Sequence, residues 1–266
     1  MPIQDMNRVQ YNALQALNYS GMKEILRSPR HYQEYLKREE EPSKALRIGT
    51  MVHAAVLQPE IFQKYKPAPD VKRNTKEGKE AYALFCSMVK DDEQICDAEE
   101  YETALKVSDK MLQIFERLGV KPLDTEKTVM SYDMDVFLKS SIDYVGSDGY
   151  LYDLKTCEDA SQEGFMRSVK QYKYHLQAVT YMLNFERALK FRPKGFRFVA
   201  VEKDAPNEGA VYELGSGIMA DGLKLYEKAL SIYSECSKTN TWPGYTNDIV
   251  TLDYPAIKSQ TINFAN

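Results

Sequence analysis

The chain has 266 residues, 43% of them hydrophobic and 28% charged, with a formal net charge of -4 at pH 7. This is long enough for a sizeable core and ordinary in composition for a globular protein. No apolar run approaches the roughly 20 residues that a membrane-spanning helix needs, and the N-terminus lacks a signal-peptide pattern.

Cys86, Cys96, Cys157 and Cys236 show no C-x-x-C spacing. A zinc site, an iron–sulfur cluster or a disulfide framework therefore has no support, and a cytoplasmic, reducing compartment is the expectation. The acidic balance argues against nucleic-acid binding over the whole surface. It leaves room for a local basic groove, because salt screens charges beyond about 10 Å.

Residues 1–18 carry no strong signal. Ser20 reads as the N-cap of an amphipathic segment running to about Lys37 and interrupted at Ser28-Pro29, since proline disfavours helix in the residue before it. The charged run 37–41 before Pro42 reads as a solvated loop. Residues 45–57 form a buried helical pattern on which Gly49 and His53 share a face. The glycine admits a backbone or ligand beside the imidazole, although a histidine in this setting also serves as a plain core residue.

Residues 66–80, which include Arg73, Thr75 and Lys79, are polar, basic and turn-rich. Such a run is either a solvated loop or a phosphate-contacting segment. Helical patterns follow at 77–90 and 98–118, the second closed by Gly119 and Pro122. Strands are expected at 125–137, 137–145 and 150–156, the last two joined by a hairpin at 146–149. Residues 161–191 read as helix with a break near 169–172. Strands at 195–202 and 209–214, an amphipathic helix at 217–238 and a loop-like tail from Trp242 complete the chain.

The chemistry concentrates around the hairpin. On a strand, Asp153 and Lys155 project to one face. The turn brings Asp143 opposite Tyr152 or Asp153, and one residue of register decides which. Two carboxylates held together repel unless a cation lies between them, and an oxygen-rich site of this kind suits Mg²⁺ or Mn²⁺. Such a cation acidifies water and offsets charge on a phosphate oxygen, with Lys155 placed to orient that water. The plainer alternative is a solvent-facing Asp/Lys pair at a strand end. In the next helix Gln177 and Tyr181 are four apart on one face. If buried, they need hydrogen-bond partners, which a substrate backbone or the lysine and its waters would supply. An ordinary amphipathic stripe is the alternative there.

In chain order, Gly49-x-x-x-His53, Asp143, Asp153-x-Lys155 and Gln177-x-x-x-Tyr181 resemble the RecB-type branch of the PD-(D/E)xK nucleases, and within it nuclease domains of the exonuclease VIII (RecE) type. The likeness spans about residues 18–255. It also takes in Ser20, Leu57-x-Pro59-Glu60-x-Phe62, Arg73-x-Thr75-x-x-Gly78-Lys79, Tyr174-His175 and Trp242-Pro243.

The resemblance implies an α/β fold, a restriction-endonuclease-like core with a central mixed sheet flanked by helices and a helical N-terminal elaboration. A single domain over 1–266 would comprise a mostly helical part to residue 120, the catalytic sheet and Gln/Tyr helix at 121–215, and a C-terminal helix and tail at 216–266. It further implies metal coordination by His53, Asp143 and Asp153, with the Leu154 carbonyl as a further ligand. Lys155 would position or activate the attacking water, and Gln177 and Tyr181 would support the lysine or the DNA.

Glu126 matches an acidic position that approaches the site in lambda-type exonucleases, with Asp124 and Asp133 as competing acids. Ser20 falls where related exonucleases contact a terminal 5′ phosphate, and Arg73, Thr75 and Lys79 fall in a segment that would touch DNA. Some positions depart from the pattern. Ile142 replaces the proline of the PD motif. Leu57 stands where some relatives carry a glutamate, so that carboxylate is missing or replaced by Glu60. The long N-terminal region of exonuclease VIII is absent, which implies a free-standing catalytic portion.

The activity implied is a Mg²⁺-dependent exodeoxyribonuclease, with Mn²⁺ able to substitute. It would digest double-stranded DNA ends 5′→3′ and leave 3′ overhangs for a single-strand annealing protein of the RecT type. Phage or prophage recombination, and a homo-oligomeric ring (trimer or tetramer), belong to the same expectation. The alternatives are an endonuclease or single-strand-specific nuclease of the superfamily, and a catalytically silent DNA-end-binding protein.

Overall fold

Side-chain caps divide the N-terminal part of the chain into helices. The structure, a computed structural model, describes residues 3–4, 6–38, 41–246 and 248–252; the end of the expected tail lies outside them. Where no strong signal was expected, strand β1 (Ile3–Gln4) and helix α1 (Arg8–Ala13) form, the latter opened by a reciprocal capping box of Asn7 and Gln10. Helix α2 spans Tyr19–Arg27, and Asn18 caps it by accepting from the Gly21 amide. Ser20 is therefore a first-turn residue, a correction to its expected place as the cap. Asn18 offers the same short oxygen-bearing side chain two positions earlier.

Ser28 ends α2 and caps α3 (Pro29–Tyr35), and Ser43 caps α4 (Lys44–Leu57). Helix α5 (Pro59–Phe62) follows at once. The basic stretch expected as loop holds strand β2 (Tyr65–Pro67) and, from the Thr75 cap onward, the start of helix α6 (Lys76–Met88). Strand β3 (Gln94–Cys96) pairs parallel with β2. Strands of three residues leave no periodicity to read. Helix α7 (Ala98–Leu118) ends at Gly119, whose φ of +66° suits a left-handed cap.

The main sheet contains β1 and the strands β4 (Pro122–Asp133), β5 (Val136–Gly146), β6 (Leu151–Cys157), β7 (Phe196–Glu202) and β8 (Gly209–Glu213). Its order is β1-β4-β5-β6-β7-β8, with β6 and β7 parallel and the other pairs antiparallel. The strand expected over 125–137 stops at Asp133. Met134 and Asp135, at φ +48° and +64°, turn the chain into β5. Such a turn normally announces itself by Asn-Gly or Asp-Gly, and neither residue here is glycine.

Between the parallel strands run α8 (Gln162–Tyr172) and α9 (Tyr174–Leu189), separated by Lys173 at φ +58°; α10 (Ser216–Thr239) closes the fold. A parallel pair needs such a crossover.

Helices α4 and α7 cover one face of the sheet, against Tyr152, Leu154, Val199 and Val201. Helices α8 and α9 cover the other, against Leu151, Phe196, Phe198 and Ala200. Helices α2, α3 and α10 extend that second layer around Leu138. Strands covered on both faces can carry polar side chains only where those are paired, so the buried acids of β5 and β6 need partners. No helix among the described residues is long and apolar enough to cross a membrane.

Candidate active site

Strands β5 and β6 pair only at Tyr144↔Tyr152 and Val145↔Leu151 before β6 follows β7 instead. Continuing that register by one residue sets Asp143 opposite Asp153. This is the arrangement, of the two the sequence allowed, in which the acids meet. Where the strands part, the Asp143 carboxylate replaces the lost ladder bond and accepts from the Leu154 amide at 2.9 Å. Both acids are buried, Asp143 at 7% and Asp153 at 2% exposure.

Helix α4 delivers His53 from one face of the sheet. Gly49, one turn before it, faces Thr156 of β6, where a Cβ would make only an ordinary contact at 3.5 Å from Oγ1, so the glycine is not what the approach requires. His53 Nε2 is 3.1 Å from the Leu154 carbonyl, which can only accept, so Nε2 carries a proton. Nδ1 faces Glu126 at 3.5 Å and Asp143 at 3.7 Å.

Glu126 sits on β4 at φ +49°, between the pairs Thr125↔Tyr144 and Lys127↔Ile142, and so across from Asp143. A left-handed glutamate inside a strand is strained, and strain of this kind gathers at functional sites. One ligand atom from each of His53, Glu126 and Asp143 lies within 4.8 Å of the others. Among the competing acids, Asp124 pairs with Lys127 at 3.3 Å, and Asp133 holds Arg187 at 2.7 Å and the Tyr226 hydroxyl at 2.6 Å. Glu126 is therefore the acid that reaches the cluster.

Helix α9 approaches from the opposite face. Gln177 Nε2 donates to Asp153 Oδ1 at 2.5 Å. Lys155 Nζ stands 2.6 Å from Asp153 Oδ2, an ionic contact outside hydrogen-bond geometry. Asp153 Oδ2 and Gln177 Oε1 are buried without a hydrogen bond. The Lys155 ammonium lies over the Tyr174 ring, 4.7 Å from its centroid. Tyr181 packs edge-on against Phe196 and keeps its phenolic proton, because burial and then the charges of Tyr11, Asp153 and Asp143 push its pKa well up.

The cluster holds extra protons. Burial and then Asp153 push the Asp143 carboxyl up to about 7. Burial alone would lower the His53 imidazole, but Asp143 and Glu126 outweigh it and raise it to about 9. Burial likewise opposes the charge on Lys155, and Asp153 overcomes it, leaving that ammonium above its ordinary value. Carboxylates this crowded are short of positive charge.

The remaining expected residues lie elsewhere. Ser20 sits in the first turn of α2, where the Tyr19 hydroxyl donates to the Tyr172 carbonyl. At the middle of α2, Lys23 is held below its ordinary pKa by burial, then by repulsion from Lys155. Arg73 stacks on Tyr82 at 3.9 Å and Thr75 caps α6, the helix that carries Lys79. No described hydrogen bond or ion pair joins these three to the cluster. Glu60 lines a separate open cleft with Lys64, Asp92 and Tyr101, so the carboxylate beside His53 comes from β4 and not from Glu60. Sequence reasoning passed over Lys23 on α2 and Lys173 at the α8–α9 junction, since isolated lysines give no signal.

A mixed sheet that splits beside an Asp…Asp-x-Lys set, with helices on both faces, defines the PD-(D/E)xK class of fold. Within that class the chain belongs to the family described as PDDEXK-like domain of unknown function (DUF3799), which it matches over residues 18–253.

Among solved structures it is similar to a candidate exonuclease from Eubacterium rectale, with a TM-score of 0.65, 11% identity, and 95% of this chain and 97% of that one covered. A phage-related exonuclease from Haemophilus somnus 129PT aligns with a TM-score of 0.35 and 10% identity over 77% of this chain and 98% of that one, too distant to bear on the fold. No curated protein matches the chain. The expected superfamily is thus confirmed, without singling out its exonuclease VIII subgroup.

Proposed function

We propose that the protein is a divalent-metal-dependent exodeoxyribonuclease that digests double-stranded DNA ends 5′→3′. The observation that carries this reading is the meeting of His53, Glu126 and Asp143 on one side of the β5–β6 split with Asp153, Lys155 and Gln177 on the other.

The donor set fits a hard divalent cation. It offers carboxylate oxygens, an imidazole and a backbone carbonyl, and the buried Asp153 Oδ2 and Gln177 Oε1 lack hydrogen bonds. His53, Glu126, Asp143 and Asp153 would hold the ion, with the Leu154 carbonyl beside them. When bound, such an ion acidifies water and offsets charge on the scissile phosphate.

The residues themselves supply the rest. Lys155, anchored by Asp153 and backed by Tyr174, presents an ammonium that orients a water for in-line attack and faces the charge developing on phosphate oxygens. Gln177 fixes the Asp153 carboxylate, and the Leu154 carbonyl fixes the His53 ring through Nε2, leaving Nδ1 toward the acids. A phosphodiester is then positioned between acids that draw in a cation and a lysine that counters negative charge.

The 5′→3′ polarity is supported by the likeness of Ser20, in the first turn of α2, to the position where related exonucleases contact a terminal 5′ phosphate. Handing 3′ overhangs to an annealing protein, and a ring of subunits, extend the same reading from the exonuclease VIII likeness.

The test is time-resolved digestion of end-labelled linear duplex in Mg²⁺, in Mn²⁺ and in EDTA, beside covalently closed circular DNA. Metal-dependent shortening from 5′ ends with intact circles is expected. Cutting of the circles would replace the exonuclease reading with an endonuclease, and binding without cleavage in both metals would overturn the catalytic assignment.

A further inference from the structure

The crossover between α8 and α9 carries two tyrosines that the chemistry above leaves partly unused. Tyr172 is 45% exposed, and its ring stacks on Tyr174 with centroids 5.5 Å apart and planes 27° from parallel. Tyr174 stacks in turn on Phe198 at 5.4 Å and 26°, and the Lys155 ammonium lies over its ring. A row of rings therefore leads from solvent to the lysine. Tyr132, Phe191 and Tyr245 are more exposed still, but none is joined to Lys155 in this way.

The backbone that carries the outer ring is held in place. Tyr172 ends α8, Lys173 at φ +58° turns the chain into α9, and the Tyr172 carbonyl accepts from the Tyr19 hydroxyl of α2. Phe165 braces Tyr174 from α8 at 5.8 Å. An exposed aromatic ring leaves apolar surface in water, and the backbone of this one is fixed at the junction of two helices and by α2. Lys173 follows Tyr172 directly in the chain, and on α2 the Lys23 ammonium feels Lys155, then the opposing charge of Glu24, then Lys173. An exposed ring stacked on a second ring that lies under an ammonium is an arrangement with which proteins hold a nucleotide, stacking the base while the cation faces its phosphates.

We propose that Tyr172 is a stacking platform for the base of the terminal nucleotide next to the scissile phosphate, on the strand whose 5′ end enters the site. The proposal rests on the nuclease reading and deepens it. Tyr172 supplies affinity for a base of any sequence, because every base offers a π-face, and it holds the end nucleotide in place beside Lys155. Tyr174 is the positioning residue beneath it. The exposed face of Tyr172 would thus be covered by substrate, which accounts for its being left bare.

The test measures binding of labelled linear duplexes to the full chain in EDTA, so that no cleavage intervenes. The terminal nucleotide is intact, abasic at the 5′ end, or abasic at the 3′ end. Wild type is expected to bind the 5′-abasic duplex about fivefold or more weakly than the intact one, the order expected for one stacked base. Tyr172→Ala is expected to lose that discrimination, falling to the wild-type level for 5′-abasic DNA on both substrates. Tyr172→Trp should retain it, which also shows that the position tolerates substitution.

Equal loss of affinity by Tyr172→Ala on intact and abasic ends, or no loss on either, would overturn the platform. Discrimination at the 3′ end instead would keep the stacking and overturn the polarity. A wild type that binds intact and abasic ends alike rejects the platform and leaves the nuclease reading to the digestion experiment above. A wild type that binds no duplex end in EDTA and digests none in Mg²⁺ or Mn²⁺ rejects both.

Discussion

Gln177 on α9 donates to Asp153 Oδ1 at 2.5 Å, and this bond ties the crossover helix to the strand that carries the acid and the lysine. Asp153 is 2% exposed and Gln177 3%, so neither can turn to water for a substitute partner. Gln177→Leu is expected to leave the carboxylate short of a donor and to destabilise the fold by about 1–3 kcal/mol. Loss of an outer partner to the metal-binding set should also cost roughly 10–100-fold in nuclease rate. Urea unfolding and single-turnover digestion check the two effects. A variant as stable and as active as wild type would show that the bond matters to neither.

Asp153→Ala and Lys155→Ala are each expected to abolish metal-dependent digestion. Circular dichroism should show both variants folded, because Lys155 is partly open to solvent and the core around β6 is apolar. Undiminished activity in either purified variant would remove that residue from the site.

The pH dependence of metal binding follows from the protons the cluster retains. Asp143 is raised from 3.8 to about 7, first by burial, and His53 from 6.5 to about 9 against the opposing effect of burial. For both groups the folded pKa exceeds the unfolded one. Their contribution to metal-free stability is therefore full at low pH and is lost as pH rises, through about 4 to 7 for Asp143 and about 6.5 to 9 for His53. A divalent cation must displace these protons to bind. The increase in melting temperature caused by Mg²⁺ should accordingly grow as pH is raised through neutrality toward about 9. Thermal melts with Mg²⁺ and with EDTA across that range would show it, and a shift that shrinks with pH would contradict it.

Glu126 separates backbone strain from side-chain chemistry. At φ +49° a glycine is relaxed where a glutamate or glutamine is not. Glu126→Gly and Glu126→Gln both remove the carboxylate and should bind Mn²⁺ more weakly than wild type. Only the glycine variant relieves the strain, and it should unfold about 1 kcal/mol later than the glutamine variant. Isothermal titration with Mn²⁺ and chemical denaturation read the two properties independently.

Gly222 marks where α10 crosses α9. A Cβ there would lie 2.4 Å from the His175 carbonyl oxygen, a backbone atom that cannot swing aside. Gly222→Ala is expected to cost about 1–3 kcal/mol in stability. Because α9 carries Gln177, digestion should slow as well, and a variant with unchanged melting and rate would show that the helices separate without consequence.

Much of this was legible in the chain order of residue types. The helices at Gly49–His53 and Gln177–Tyr181 and the strand at Asp153–Lys155 lie where periodicity placed them, because each is long enough to repeat an apolar pattern. The misses share a physical cause. The caps offered two suitable side chains, Asn18 and Ser20, two residues apart. The β4–β5 turn uses Met134 and Asp135 at positive φ, a geometry paid for by tertiary packing and invisible to turn chemistry. The strands Tyr65–Pro67 and Gln94–Cys96 are too short to show alternation.

By itself the sequence determined the succession of helices and strands, including the helices that bring His53 and Gln177, because these depend on local spacing and hydrophobic period; the class of fold and the Asp…Asp-x-Lys set came from the order of residues it shares with a known family. Only the tertiary structure decided three things. It set Asp143 opposite Asp153, since a register differing by one residue reverses every side chain. It chose Glu126 over Asp124 and Asp133, since each of the other acids could be assigned only once its neighbours in space were known. It also left Tyr172 bare above Tyr174, because stacking across a helix junction depends on the angle at Lys173 and on α2 packing against it.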